Sequence, residues 1–406
     1  MILKEYWKDK RMKNIPLCIP TIGEEEKEAV MECLSSNFVS SAGPSIALFE
    51  EAFAKYVGSK YAVACSSGTA ALHLAVETAN RITDNNYFKY FVPTFSFAAS
   101  VNPCVYSRGA TNLYFVDACP ETWSLDLQHL FNNVNFENGV RSSYDHCIVI
   151  PHLYGYPAKD MQKFVNKYKK NIFIIEDATE SLGSFVDGKH VGTFGHFGCF
   201  SFNGNKMITT GSGGMLVTDN IEYAEIARSL SQQAKIPNIK NEYYHNDIGY
   251  NYRMTNIQAA LGLAQFRKLP QFLQRKKEIS KRYDDSLLKG GSWVRQQAPE
   301  NSDVTMWLYS LCHTTFKMDI DALRDRLAFK GIETRKLWYP LHKQKYNNGR
   351  NLYYPFLFNR DILSRKDKST AQLLWERGIS LPSSVSMTDE EQDYVIEFFL
   401  NEQNQL

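Results

Sequence analysis

Between residues 44 and 235 the chain alternates short apolar runs with amphipathic stretches, and this repeat narrows its possible folds more than any other feature. "YAVACSS" (61–67), "YFVPTF" (90–95), "NLYFVDA" (112–118), "CIVIPHLY" (147–154), "IFIIEDA" (172–178), "FGCFSFN" (197–203) and "GGMLVTD" (213–219) each read as a strand. Helical segments such as "GTAALHLAVETA" and "AKDMQKFVNKYKK" fall between them. Strands apolar on both faces must be covered on both faces. The expectation is an α/β fold, with a mostly parallel central sheet and helices on either side. From residue 254 the pattern shifts to long helices, "TNIQAALGLAQFRKLPQFLQRKKEISKRYDDSLL", then to a mixed tail with a strand at "MWLYSLCHT", a helix from Asp319 to Lys330 and two final helices. That tail predicts a smaller C-terminal α+β domain. The expected division is 1–43 as an N-terminal segment packing with the small domain, 44–275 as the large domain and 276–406 as the small one.

A chain of 406 residues has room for this arrangement. The net charge of +2 supplies no field that would select nucleic acid or an anionic membrane. No apolar run approaches the roughly 20 residues of a membrane span. The start, "MILKEYWKDKRMKN", is charged and lacks an apolar signal core, so a cytoplasmic enzyme is expected. The eight cysteines form no C-x-x-C pair and several lie in apolar runs, which reads as small buried hydrophobes and no metal site.

Ligands of such sheets bind at the carboxyl ends of the strands, where the unusual polar residues of this chain collect. "CSSGTAAL" puts Ser67, Gly68 and Thr69 at a strand-to-helix turn, either an anion cradle or a plain N-cap. "FIIEDATES" ends an apolar strand with Glu176 and Asp177, then Glu180. A carboxylate there needs a cation, or caps the next helix. In "VPTFSFAASVN", Phe95 and Phe97 either face a flat ligand or join the core. Lys206 stands in "CFSFNGNKMITTGSGGMLVTD" with no other charge until Asp219. Either it snorkels from a loop, or it is a desolvated amine suited to Schiff-base chemistry. Taken together, a phosphate cradle that includes Ser201, a buried aspartate and a lysine are what pyridoxal phosphate requires. Lys206 would bond the aldehyde, and Asp177 would keep the ring nitrogen protonated.

At these residues the sequence resembles the fold-type I, aspartate-aminotransferase-like sugar aminotransferases of the DegT/DnrJ/EryC/StrS family. The likeness runs from "NFVSSAGPSIALFEEAFAKYVGSKYAVACSSGTAALHLA" to "GISLPSS" and includes "IIEDATESLGSF" and "HNDIGYNYRMTNIQAALGLAQ". It implies Lys206 as the Schiff-base lysine and Asp177 as the partner of the pyridine nitrogen. Gly68, Thr69 and Ser201 would hold the phosphate, and Phe97 would stack on the ring. Glu180 would lie near the phenolic oxygen, where a carboxylate must be turned away, protonated or paired. Asn251 would reach the phosphate site of a neighbouring subunit, which implies a homodimer. "NRITDNNYFKYF" departs from the family's usual turn, with no chemical consequence expected.

Among family members, "QQAKIPN" and "IETRKLWYPLHKQ" look closest to enzymes aminating C4 of a nucleotide-linked 4-keto-6-deoxyhexose for surface glycans. A UDP-linked N-acetyl sugar is the favoured acceptor, with GDP-perosamine synthases nearly as close and L-glutamate as donor. Arg335, Tyr339 and His342 are the candidates for the sugar-nucleotide pocket, each with a core or surface ion-pair alternative. A sugar 3-dehydratase would carry histidine in place of Lys206. A dTDP-sugar 3- or 4-aminotransferase would share every cofactor residue. A nicotinamide oxidoreductase lacks its G-x-G-x-x-G here, and a cofactor-holding regulator lacks a recognition module.

Overall fold

The computed structural model describes residues 14–83, 88–108, 113–134, 146–236, 243–315, 318–344 and 368–403. Parts of four quoted segments lie outside these residues: 1–13 of the N-terminal segment, 84–87 of "NRITDNNYFKYF", 112 of "NLYFVDA" and 237–238 of "QQAKIPN".

All seven expected strands form. They are β1 (Tyr61–Cys65), β2 (Lys89–Pro93), β3 (Leu113–Val116), β4 (His146–Pro151) and β5 (Phe173–Asp177), then, after a small hairpin of β6 (Phe185–Val186) and β7 (Lys189–His190), β8 (Phe197–Ser201) and β9 (Gly214–Thr218). The large sheet has the order β1-β9-β8-β5-β4-β2-β3. β8, β5, β4, β2 and β3 pair in parallel, whereas β9 runs antiparallel to both β1 and β8. β9 reverses because the link from Ser201 to Gly214 contains no crossover helix, and a strand that returns without one must come back antiparallel.

Alternation along each strand then sorts the core. Val63, Tyr90, Val149, Ile175, Cys199 and Leu216 pack under the helices Gly68–Thr83 and Ile221–Ser231. Their neighbours on the opposite face split into two groups. Ala62, Met215 and Val217 meet Pro44–Val57 and Asn256–Arg267, while Phe91, Ile148 and Ile174 meet Met161–Tyr168. This parity sends Asp177 and Ser201 to the face that carries the helix Gly68–Thr83, and sends Glu176 to the other.

The C-terminal part builds a second sheet of order β10-β12-β14-β13. Its strands are β10 (Trp293–Val294), β12 (Tyr309–His313), β13 (Arg335–Lys336) and β14 (Gly378–Leu381); between the first two, β11 (Ser302–Asp303) joins the β6–β7 hairpin. The sheet packs on Ile320–Phe329 and Asp389–Gln403. Asp319 caps the first of these helices by accepting the Ala322 N–H. Ile15 belongs to this core and exchanges backbone hydrogen bonds with Gly331 and Glu333. The long helical stretch after 254 divides at Lys268, and its second helix, Leu269–Leu287, runs through residue 275 unbroken. All eight cysteines are free, and all but Cys18 are buried. Among the described residues no helix is long and apolar enough to cross a membrane.

Candidate active site

A cavity of about 460 Å³ opens at the carboxyl ends of β1, β4, β5 and β8. At its floor the helix Gly68–Thr83 begins. Ser67 caps that helix, its hydroxyl accepting the Ala70 N–H at 3.0 Å, so the N-cap and the cradle are one structure. A Cβ on Gly68 would lie 2.7 Å from Ser201 Cβ and 3.2 Å from Thr179 Cγ2. Free N–H groups, a helix dipole and two hydroxyls therefore converge where only a glycine fits.

Asp177 ends β5 with its carboxylate in the cavity wall. Oδ2 accepts the Ser100 hydroxyl at 2.5 Å, and Oδ1 accepts the Thr179 hydroxyl at 2.6 Å and its N–H at 3.2 Å. Glu176, on the other face, is fully engaged elsewhere. It receives His152 Nε2 at 2.9 Å, the Gly192 N–H at 2.7 Å and the Gly195 N–H at 2.6 Å. Burial alone would raise its pKa, but His152 and these two N–H groups outweigh it and hold the carboxyl below the usual range. A depressed folded value means that Glu176 stabilises the fold above the unfolded glutamate pKa, and that the benefit fades as pH falls through the folded one. Glu176→Gln is expected to cost about 3 kcal/mol at neutral pH, in urea titrations, because its amide meets donors. That difference should shrink towards acid pH.

Lys206 lies in the tight β8–β9 connection, closed by Phe202 N–H to Gly213 O at 2.8 Å and Thr210 N–H to Phe202 O at 2.9 Å. Gly211 holds the left-handed conformation this turn needs (φ 80°). The Lys206 amine sits 3.5 Å from Glu180 Oε1 and 3.5 Å from the centroid of the Trp307 ring. Glu180 is thus paired, and its Oε2 also accepts the Tyr154 N–H at 2.8 Å. Burial pushes the Glu180 carboxyl up and the Lys206 ammonium down, each against the attraction of the other. The result is an amine that sheds its proton more readily than a surface lysine does.

Residues 20–400 match the model of the DegT/DnrJ/EryC1/StrS aminotransferase family. The chain belongs to that family. It is 38% identical over 389 residues to GDP-perosamine synthase of Escherichia coli O157:H7, covering 95% of this chain and 98% of that one. With GDP-perosamine synthase of Caulobacter vibrioides it shares 33% over 395 residues, covering 95% and 97%. Among solved structures, aminotransferase TlmJ from Streptoalloteichus hindustanus superposes with a TM-score of 0.82 at 26% identity, covering 96% of this chain and 99% of that chain. The chain is a sugar aminotransferase that uses pyridoxal phosphate.

The residues present fit that cofactor: a cradle that a Cβ would fill, a buried carboxylate fed by hydroxyls, and one buried amine. Gly68, Thr69 and Ser201 would take the phosphate, Asp177 the ring nitrogen and Lys206 the aldehyde. Gly68→Ala is expected to weaken cofactor binding at least about tenfold, roughly 1.4 kcal/mol, in a titration of the apo chain.

Of the remaining family residues expected at the site, Phe97 and Arg335 also line the cavity. Phe97 is 54% exposed and its ring meets Trp338 at 5.5 Å. Phe95 is buried instead, in the cluster with Leu17 and Trp123. Three residues are not brought to the cavity. Asn251 is exposed, joined to Gln232 by a backbone bridge. Tyr339 packs edge-on to Trp375 at 4.8 Å. His342 bonds Thr94 through Nδ1, and burial pushes its pKa down to about 4, so it is no cation for a diphosphate. Ser100, Thr179, Trp307 and Trp338 escaped the sequence reading. Trp307 and Trp338 lie within "MWLYSL" and "IETRKLW", whose aromatics carried no mark of a site.

Proposed function

We propose that this enzyme moves the amino group of L-glutamate to C4 of a GDP-linked 4-keto-6-deoxyhexose, GDP-4-keto-6-deoxymannose, for surface glycan synthesis in the cytoplasm. Three GDP-perosamine synthases among the relatives favour this acceptor over the UDP-linked N-acetyl sugar expected from sequence. The observation that carries the reading is the pairing, in one cavity, of a buried amine at Lys206 with a hydroxyl-fed carboxylate at Asp177.

Bound between them, pyridoxal phosphate supplies an aldehyde to carry the amino group and a protonated ring to withdraw electrons. Lys206 Nζ accepts the proton from the α-carbon of glutamate and later returns one to C4 of the acceptor. Its lowered basicity leaves more neutral amine available for that first transfer. Glu180 holds the amine from the side, its carboxyl raised by burial and opposed by the attraction of Lys206. Arg335 at the cavity wall suits the carboxylate of the donor or the diphosphate of the acceptor. Asn251, exposed and away from its own cavity, fits a homodimer in which each chain completes the phosphate site of the other.

Initial rates with GDP-, UDP- and dTDP-linked 4-keto-6-deoxy sugars, with product NMR, test the assignment. The GDP-linked sugar is expected to give the highest kcat/KM and a C4 amine. A C3 amine, or a preference for UDP, would overturn it.

A further inference from the structure

Tyr154 adopts φ 56° and ψ 15°, the left-handed region that bulky aromatic residues rarely enter. Such a backbone persists only where its surroundings impose it. Gly155 follows with φ 100°, pressed so close to the neighbouring strand entry that a Cβ would lie 1.7 Å from Thr305 O. The Tyr154 side chain is 2% exposed and lies nearly parallel to two indoles, 6.1 Å from Trp307 at 16° and 6.2 Å from Trp338 at 14°.

The turned backbone points both peptide groups at the active site. The Tyr154 N–H donates to Glu180 Oε2 at 2.8 Å, and its C=O accepts the Trp307 N–H at 2.8 Å. Glu180 and Trp307 are the two groups lying against the Lys206 amine. We propose that Tyr154 is a positioning residue whose left-handed peptide groups aim Glu180 and Trp307 at Lys206.

The titratable groups facing that amine come from several elements. Glu180 and Asp177 stand at and after the end of β5, Cys18 comes from the N-terminal segment, and Lys276 of the helix Leu269–Leu287 borders the same small gap. Arg335 stands in the wall of the shared cavity. Burial is the largest influence on the amine, and the two carboxylates oppose it. If Trp307 swings away, water reaches the amine and its basicity rises towards that of a free lysine. Loss of the Glu180 carboxylate, whose influence ranks after burial, acts in the opposite sense.

The test is competitive acetylation of the full-length apo chain across pH, with the Lys206 peptide quantified by mass spectrometry. Tyr154→Phe keeps ring and backbone and should titrate as wild type. Tyr154→Ala should raise the Lys206 midpoint by about one pH unit, leaving roughly tenfold less neutral amine at a given lower pH. Tyr154→Gly also loses the ring, yet enters the left-handed region freely, so it should stay close to wild type. A glycine variant shifted as far as the alanine one, or an unshifted alanine variant, would overturn the proposal. If thermal melts show the alanine chain unfolded, Tyr154→Asn, which tolerates left-handed angles, against Tyr154→Leu gives the same comparison. The labelling needs neither cofactor nor sugar, so an error in the substrate assignment leaves its outcome unaffected.

Discussion

Lys206→Ala is expected to lower kcat/KM for amine transfer by about 10⁴-fold or more while leaving the fold intact. Among the described residues Lys206 is the only lysine in the cavity wall, and its amine is the one placed to bond an aldehyde or carry protons between substrate carbons. The variant removes both roles together. The fold should tolerate the change because the loop is held by backbone contacts, including Lys206 N–H to Asn203 O at 3.0 Å, which alanine keeps. The buried Glu180 would lose its cation. Its carboxyl is already pushed up by burial, and losing the attraction of Lys206 pushes it further the same way, which favours the neutral acid over an unpaired interior charge. Steady-state rates with a thermal melt on the same preparation check both halves. Retention of about a tenth of the wild-type rate would remove Lys206 from the chemistry.

Asp177→Asn is expected to reduce kcat by about 10²–10³-fold with little change in stability. The three bonds Asp177 accepts can be largely rebuilt by asparagine. Its carbonyl can keep the Thr179 hydroxyl and N–H, and the Ser100 hydroxyl can rotate to accept from the new amide. What disappears is the negative charge that holds a proton on the ring nitrogen. A neutral ring draws electrons more weakly, so the loss should fall on kcat, with KM for either substrate changing less. Rates measured at saturating cofactor separate this from weaker binding. A variant within about threefold of wild type would show that the carboxylate is structural.

The strands of the large sheet could be read from sequence because apolar runs of strand length say what is buried. The reversal of β9 follows from the missing helix between Ser201 and Gly214, a feature of the connection and not of the strand. Gly68, Thr69, Asp177, Ser201 and Lys206 were legible for a related reason: a charge or a small residue at the end of an apolar strand is anomalous locally. Ser100 and Thr179 were not, since a hydroxyl becomes the partner of Asp177 only when two separate segments meet. Trp307 arrives from the C-terminal part of the chain, and its contact with Lys206 has no local signature. His342 was a candidate because a basic ring suits a diphosphate, but its burial and its bond to Thr94 depend on packing that the local sequence does not display. The sequence allows Glu180 three states, and the packed geometry singles out pairing with Lys206.

Everything chemical in this account depends on which side chain holds the cofactor. Borohydride reduction of the chain loaded with pyridoxal phosphate, followed by peptide mass mapping, reads that directly. The pyridoxyl group is expected on Lys206 alone, in the peptide that follows Phe202. A label on Lys276 or any other lysine, or none at all in a chain that still transfers amines, would contradict it.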